Sequence, residues 1–266
     1  DLNFINRATK GVYELGSVFK TFTVAAGLEE GLIDTDTEFL NLEKKLQCGK
    51  SSISEYDNKI PSDLTVEQIL IRSGNIGSVR IGQKLEIIKL KAFLEKIGIL
   101  SKINFDIEEV GEPIPFKWGK CKLATVSFGH GITTTPLQLA KAYAIISNGG
   151  FAIEPSLIKK ELKDPEKERR IIKAGISEKI NPILRKIVTT KEGTAGLVNI
   201  EGYEVGGKTG TAQKTIVGGY SKAKVNTFAG IFPTSKPKYV LIVLLDEPKT
   251  SSDYVYEYKN KKGSYK

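Results

Sequence analysis

The stretch that decides the reading is Tyr13–Gly31, YELGSVFKTFTVAAGLEEG, in which a glycine, a serine and a lysine lead into an almost wholly apolar run. From Val18 to Leu32 apolar residues fall on nearly every helical face, so the spacing predicts a helix buried in the middle of a domain. Ser17 and Lys20 are three residues apart and share one face of that helix. A serine hydroxyl is a weak nucleophile near neutral pH and needs a base within hydrogen-bond reach. Val18, Phe19, Phe22 and Val24 supply apolar surroundings that disfavour an ammonium and make a neutral lysine base attainable. The unpaired N–H groups at the helix start, that of Ser17 included, suit a developing oxyanion.

The spacing alone proves little. Ser-x-x-Lys recurs at Ser156/Lys159, Ser221/Lys224 and Ser235/Lys238. Two further elements single out the first pair. Ser73-Gly74-Asn75 is the one Ser-x-Asn of the chain and closes the stretch Leu64–Asn75, predicted as a short helix whose end delivers these three residues, a hydroxyl and an amide among them, into a turn. Lys208-Thr209-Gly210 is the one Lys-Thr-Gly and sits in a glycine-flanked strand, where bare backbone can lie along an extended peptide. Lys208 offers a positive charge for a carboxylate; Thr209 and Thr211 add hydroxyls. The three elements together form the Ser-x-x-Lys, Ser-x-Asn, Lys-Thr-Gly set of serine acyl-transfer enzymes.

The rest of the chain supports a domain of helices followed by strands. A polar stretch from Asp34 to Ser62 reads as an extended loop, and KLEIIKLKAFLEKIG, ending at Gly98, as an amphipathic helix. Thr135-Pro136-Leu137-Gln138 is a helix start with a capping box, and the helix it opens stops at Asn148-Gly149-Gly150. The charged segment 159–170 reads as an exposed loop or surface hairpin. YEVGGKTGTAQK, VNTFAGIFPT and KYVLIVLLDEP then read as three successive strands. Without a βαβ rhythm, the order argues for an antiparallel sheet with helices packed on it.

Composition narrows the function classes. The chain has 266 residues, 40% of them apolar and 27% charged, which describes a globular protein. Its longest apolar run, Tyr239–Leu245, is far short of the ~20 residues a membrane helix needs. A formal charge of +9 is spread as single and paired lysines without interleaved aromatic residues, which does not suggest nucleic acid. Cys48 and Cys121 lack metal-ligand spacing and have one histidine, His130, to join them, so no metal is expected. Reduced, buried thiols are the expectation, one disulfide being the alternative.

On these motifs, together with SFGHGITTTPLQLAKAYA, GGKTGTAQK and FAGIFP, the chain resembles the transpeptidase domain of a class B penicillin-binding protein, most similar to the division-specific FtsI type. Asn75 and the FAGIFP…DEPK ending favour that type over elongation-specific relatives, which usually carry Ser-x-Asp. Leu15 stands where relatives usually have proline. The resemblance implies the α+β fold shared with serine β-lactamases, an antiparallel sheet with helices on both faces. It also implies sheet strands well before the nucleophile and a helix after DEP; with sixteen residues before Ser17 and a polar tail at 249–266, residues 1–248 are expected to form that domain without those pieces, leaving Leu241–Leu245 as an uncovered apolar edge.

Carried over to this chain, the resemblance implies Ser17 as acyl-forming nucleophile, Lys20 as its base, and Ser73 with Asn75 as proton relay and substrate contact. Lys208, Thr209, Gly210 and Thr211 would bind the terminal carboxylate, the Thr211 N–H completing an oxyanion hole. His130, in FGHG, is expected to be structural. The implied substrates are peptidoglycan stem peptides ending in D-Ala–D-Ala, with β-lactams as mimics, no cofactor, and cell-division proteins as partners. The implied location is the periplasmic face of the bacterial inner membrane, the anchor lying outside this chain. A class A β-lactamase would need Glu-x-x-Leu-Asn between Asn75 and Lys208, which is absent. A DD-carboxypeptidase shares every motif, and a non-catalytic division-complex binding module is the alternative from another class.

Overall fold

The computed structural model describes residues 4–49, 51–159, 169–216, 219–249, 255–258 and 261–264. Its helices are α1 (Lys20–Glu29), α2 (Val66–Ile71), α3 (Asn75–Lys96), α4 (Lys120–Val126), α5 (Pro136–Ser147) and α6 (Ala174–Thr189). Its strands are β1 (Glu38–Phe39), β2 (Lys45–Cys48), β3 (Ser51–Ser54), β4 (Leu64–Thr65), β5 (Gly206–Ile216), β6 (Gly219–Phe232), β7 (Tyr239–Asp246) and the hairpin β8 (Val255–Tyr258) and β9 (Lys261–Ser264).

Helix α1 is the axis of the molecule: every residue from Lys20 to Glu29 is buried, as its all-round apolar surface requires. A single 3-10 turn, Gly16–Phe19, leads into it. It ends at Gly31, whose φ of +65° a side chain would resist; Gly31 N–H returns to Leu28 O and Leu32 N–H to Gly27 O, closing a Schellman motif. The expected capping box on α5 is present, with Gln138 N–H donating to Thr135 Oγ1 and Thr135 N–H to Gln138 Oε1.

The three predicted strands form an antiparallel sheet in the order β5-β6-β7, with Lys208 opposite Ala229 and Thr211 opposite Asn226. Helix α6 packs against β5, and α5 against β6 and β7. At Gly206 a Cβ would lie 2.9 Å from the Arg185 backbone nitrogen, so only glycine lets α6 and β5 come this close. On the other face of β7, Tyr239, Leu241, Val243 and Leu245 are between 41% and 59% exposed, the apolar surface expected at this strand.

Four expectations change. The polar stretch 34–62 contains β1, which pairs with β4, and the β2–β3 hairpin; its strands are short, with Ile53 the one buried side chain of the hairpin, so it looks like a loop in sequence. Helix α3 begins at Asn75 itself, and its one non-helical residue is Glu86 at φ 59°. Helix α6 escaped notice although Ile176, Ile180, Ile183, Leu184 and Ile187 recur at helical spacing, because Pro182 interrupts the pattern. Cys48 and Cys121 are bonded rather than reduced and buried: the hairpin folds against the start of α4, bringing their Cα atoms to 5.4 Å, and Cys121 is exposed. Of the charged segment, residues 160–168 lie outside the described residues; Arg170 bridges to Phe151 and lies over its ring.

Candidate active site

Ser17 lies in the turn before α1 and lines a cavity of about 520 Å³. Three close approaches fix that turn. A Cβ on Gly16 would meet Thr211 O at 2.5 Å, one on Gly210 would meet Leu15 O at 2.2 Å, and one on Gly129 would meet Gly16 O at 1.9 Å. The turn is thus wedged between β5 and the FGHG segment by backbone packing alone. From below, the buried Tyr143 of α5 donates its hydroxyl to Val18 O at 2.9 Å and meets Thr21 Oγ1 at 2.9 Å; burial pushes its pKa up, so it stays protonated.

Lys20 projects from the first turn of α1 and is fully buried. Its ammonium donates to Ser73 O (2.5 Å), Ser73 Oγ (3.1 Å) and Asn75 Oδ1 (2.7 Å). Desolvation lowers its pKa to about 7, against a smaller upward pull from the Glu55 carboxylate. Lys208 arrives from β5, also fully buried, and donates to Ser73 Oγ at 2.8 Å and Thr209 O at 2.9 Å. Desolvation, and then the neighbouring Lys20 charge, hold its pKa well below the usual lysine range. The Ser73 oxygen therefore sits between two lysine amines, and Ser73 takes a left-handed φ of 57° to present it. Such strain in a non-glycine residue costs of order 1–3 kcal/mol and persists only where the surroundings impose it.

The surroundings that impose it include Glu55, just past β3. Its carboxylate accepts Asn75 N–H (2.6 Å) and Ile76 N–H (2.9 Å), capping α3, while Asn75 Nδ2 donates to Ser54 O (2.8 Å). Sequence reading missed Glu55, because it lay in the polar stretch taken for loop. Thr194 is a second addition: its hydroxyl meets that of Thr209 at 2.7 Å, and both line the cavity with Gly210 and Thr211.

Of the eight residues selected from sequence, Ser17, Ser73, Asn75, Thr209, Gly210 and Thr211 line the cavity, whereas Lys20 and Lys208 lie behind its wall and meet at Ser73 Oγ, so Thr194, Thr209 and Thr211 are the side chains facing the cavity on the β5 side. His130 also faces the cavity, stacked on Tyr220 at 4.7 Å, with Nδ1 3.6 Å from Glu14. The three other Ser-x-x-Lys serines serve local needs: Ser156 donates to Asp106, Ser235 to Glu204, and Ser221 accepts Ala223 N–H.

A serine at the mouth of a buried helix, in one cavity with a hydroxyl held by two desolvated amines, is an arrangement suited to acyl transfer. The chain belongs to the penicillin-binding protein transpeptidase-domain family, whose model matches residues 2–263. Among its relatives is a probable peptidoglycan D,D-transpeptidase FtsI of Caulobacter vibrioides, 32% identical over 94% of this chain; the chain spans 44% of that protein's length. The transpeptidase domain of Burkholderia pseudomallei penicillin-binding protein 3 superposes with a TM-score of 0.85 at 26% identity, over 91% of this chain and 74% of that one. Penicillin-binding protein 3 of Mycobacterium tuberculosis, solved with ampicillin, gives 0.82 at 26% identity, over 91% of this chain and 58% of that one.

Proposed function

We propose that this chain is a serine-type peptidoglycan D,D-transpeptidase that cross-links stem peptides during septal wall synthesis. The observation that carries the reading is the Ser73 hydroxyl, shared by two buried lysines, in the same cavity that Ser17 lines. Neutral Lys20 takes the Ser17 proton as Oγ attacks the penultimate D-alanine carbonyl. The oxyanion is held by the Ser17 and Thr211 N–H groups, where the turn and β5 come together. The Thr194, Thr209 and Thr211 hydroxyls bind the terminal carboxylate, with the Lys208 amine behind them at Ser73. Ser73, taking its proton from a lysine ammonium, passes it to the leaving amine, and D-alanine departs. An amine from a neighbouring stem then attacks the ester and frees Ser17. A penicillin enters the first step and leaves Ser17 acylated.

We place this work on the periplasmic face of the inner membrane, where stem peptides are, in company with division proteins. No helix among the described residues is long and apolar enough to cross a membrane, so an anchor, in this reading, lies outside them. Incubation with a D-Ala–D-Ala pentapeptide and an amine acceptor tests the assignment. It predicts D-alanine release with a cross-linked product, both lost in Ser17→Ala. D-alanine release with hydrolysis alone would mean a carboxypeptidase, and no release from folded protein a binding module.

A further inference from the structure

Acyl transfer to Ser17 and away from it each moves one proton. Lys20 takes it from Ser17, Ser73 passes it to the departing amine, and an incoming amine gives one back along the same path. An acceptor amine of ordinary basicity brings a second, because near pH 7 it is almost wholly an ammonium. That surplus proton must go before the nitrogen has a lone pair to attack with. Lys20 and Lys208 are fully buried behind the cavity wall, so neither meets the arriving ammonium directly. A group in the wall itself is needed.

His130 is such a group. It faces the cavity that Ser17 lines, and its side chain is 40% exposed, so a proton taken there can pass on to water. The ring stacks on Tyr220 at 4.7 Å and lies within 8° of parallel to Phe128 at 6.1 Å, which sets its plane. The backbone is held as well, His130 N–H donating to Thr125 O at 2.9 Å. Nδ1 stands 3.6 Å from Glu14 Oε2, too far for a hydrogen bond but within ion-pair range once the ring is charged. Such contacts between catalytic groups are often long before substrate arrives. The buried Glu14 carboxylate is fixed by Gly131 N–H and by the Tyr220 hydroxyl, each at 2.9 Å. Facing that acceptor, the imidazole carries its proton on Nδ1, which leaves the Nε2 lone pair on the edge away from Glu14. The other titratable side chains beside the ring are Tyr220 and Lys122 of α4. Burial and the Glu14 charge push the Tyr220 pKa up, so it keeps its proton. The Lys122 ammonium is held at Gly131 O, 2.9 Å away, and over the Phe116 ring.

We propose that His130, oriented by Glu14, is a catalytic base of the second half-reaction and takes the surplus proton from the acceptor ammonium. The inference rests on the transpeptidase reading and adds a residue that serves transfer to an amine in particular. The ammonium gives one proton to Nε2, and the freed lone pair bonds to the ester carbonyl carbon. As the carbon–oxygen bond to Ser17 breaks, the nitrogen loses a further proton to the Ser73–lysine relay, which returns one to Ser17 Oγ. The products are the amide and free Ser17; the imidazolium, paired with Glu14, releases its proton to water. Water as acceptor brings no surplus proton, so hydrolysis has no such need.

The test uses the whole chain, a D-alanyl thiolester donor and two acceptors of one shape. One is an N-acetylated stem tripeptide bearing a side-chain amine; the other has oxygen in place of the methylene beside that nitrogen, and its aminooxy group is already neutral at pH 7. The ratio of transfer to hydrolysis cancels any common effect on acylation. His130→Gln should lower that ratio by about a hundredfold for the amine, the lower end for loss of a positioned base, and by no more than about threefold for the aminooxy probe. Raising the pH towards 10 should close the gap, because free amine becomes abundant. Glu14→Gln, which removes the charge that steadies the imidazolium, should lower the amine ratio by about tenfold, the scale of one charge-assisted contact. An equal fall for both probes in His130→Gln, or none for the amine, would overturn the inference and leave the transpeptidase reading standing. Failure of the wild type to form an acyl-enzyme, or hydrolysis with neither probe transferred, would overturn that reading and the inference with it.

Discussion

Titrating the protein through neutrality perturbs the group on which the proposed chemistry depends. Lys20, held at a pKa of about 7 by burial, is about half neutral at pH 7. An ordinary lysine near 10.4 would be neutral in only about one molecule in 2,500, so burial raises the fraction of usable base by roughly a thousandfold. Acylation of Ser17 by a fluorescent penicillin, followed as a rate against pH, should therefore climb tenfold per unit up to about pH 6.5 and level off above pH 8. Because Lys20 and Lys208 share the Ser73 oxygen, the observed midpoint belongs to the pair. Glu55→Gln keeps the side chain's volume and removes the charge that pulls the Lys20 pKa up, so the midpoint should move to lower pH. A rate that goes on rising to pH 10, or a midpoint that rises in Glu55→Gln, would refute the assignment of Lys20 as the buried base.

Both lysines bind their protons less tightly in the folded than in the unfolded chain, so unfolding free energy should rise with pH from about 7 towards the ordinary lysine range and be lowest below 7; urea titrations at pH 6 and 9 check the sign. Ser73→Ala removes the oxygen both amines share and should slow acylation by about 10²–10⁴, the range for loss of a positioned proton-transfer group, while the circular dichroism of the fold is kept. Gly129→Ala places a Cβ 1.9 Å from Gly16 O at a residue of φ +89°, so penicillin labelling should be lost together with several degrees of Tm. The disulfide closes a separation of 73 residues, so Cys48→Ser with Cys121→Ser should lower stability by about 4 kcal/mol, read from denaturant midpoints of the pair variant and the oxidised wild type.

Much of this was legible in the chain itself, for reasons that differ by element. Helix α1 declared itself because burial on all sides leaves an all-round apolar sequence, and α5 because its capping box and proline are local signals. Strands β5 to β7 were visible as three strand-like runs near the end of the sequence. The catalytic candidates could be chosen because three short motifs agreed, where Ser-x-x-Lys by itself occurred four times. What remained hidden depends on contacts distant in sequence. Glu55 caps α3 from 20 residues away, Tyr143 supports Val18 from 125 residues away, and neither carries a local mark. The position of Lys208 was hidden for the same reason: its motif promised a contact with ligand, but the packing of β5 sends its amine to Ser73. The disulfide needed the β2–β3 hairpin, whose short, polar strands had no periodicity to read.

The central claim is that Ser17, and no other serine, becomes covalently acylated. Intact-mass measurement after incubation with benzylpenicillin, followed by proteolysis and peptide mapping, tests it most directly. The account predicts a single, durable adduct of one penicillin mass on the peptide containing Ser17, absent from Ser17→Ala and formed slowly in Ser73→Ala. An adduct on Ser73, Ser156, Ser221 or Ser235, or none on protein shown to be folded, would contradict it.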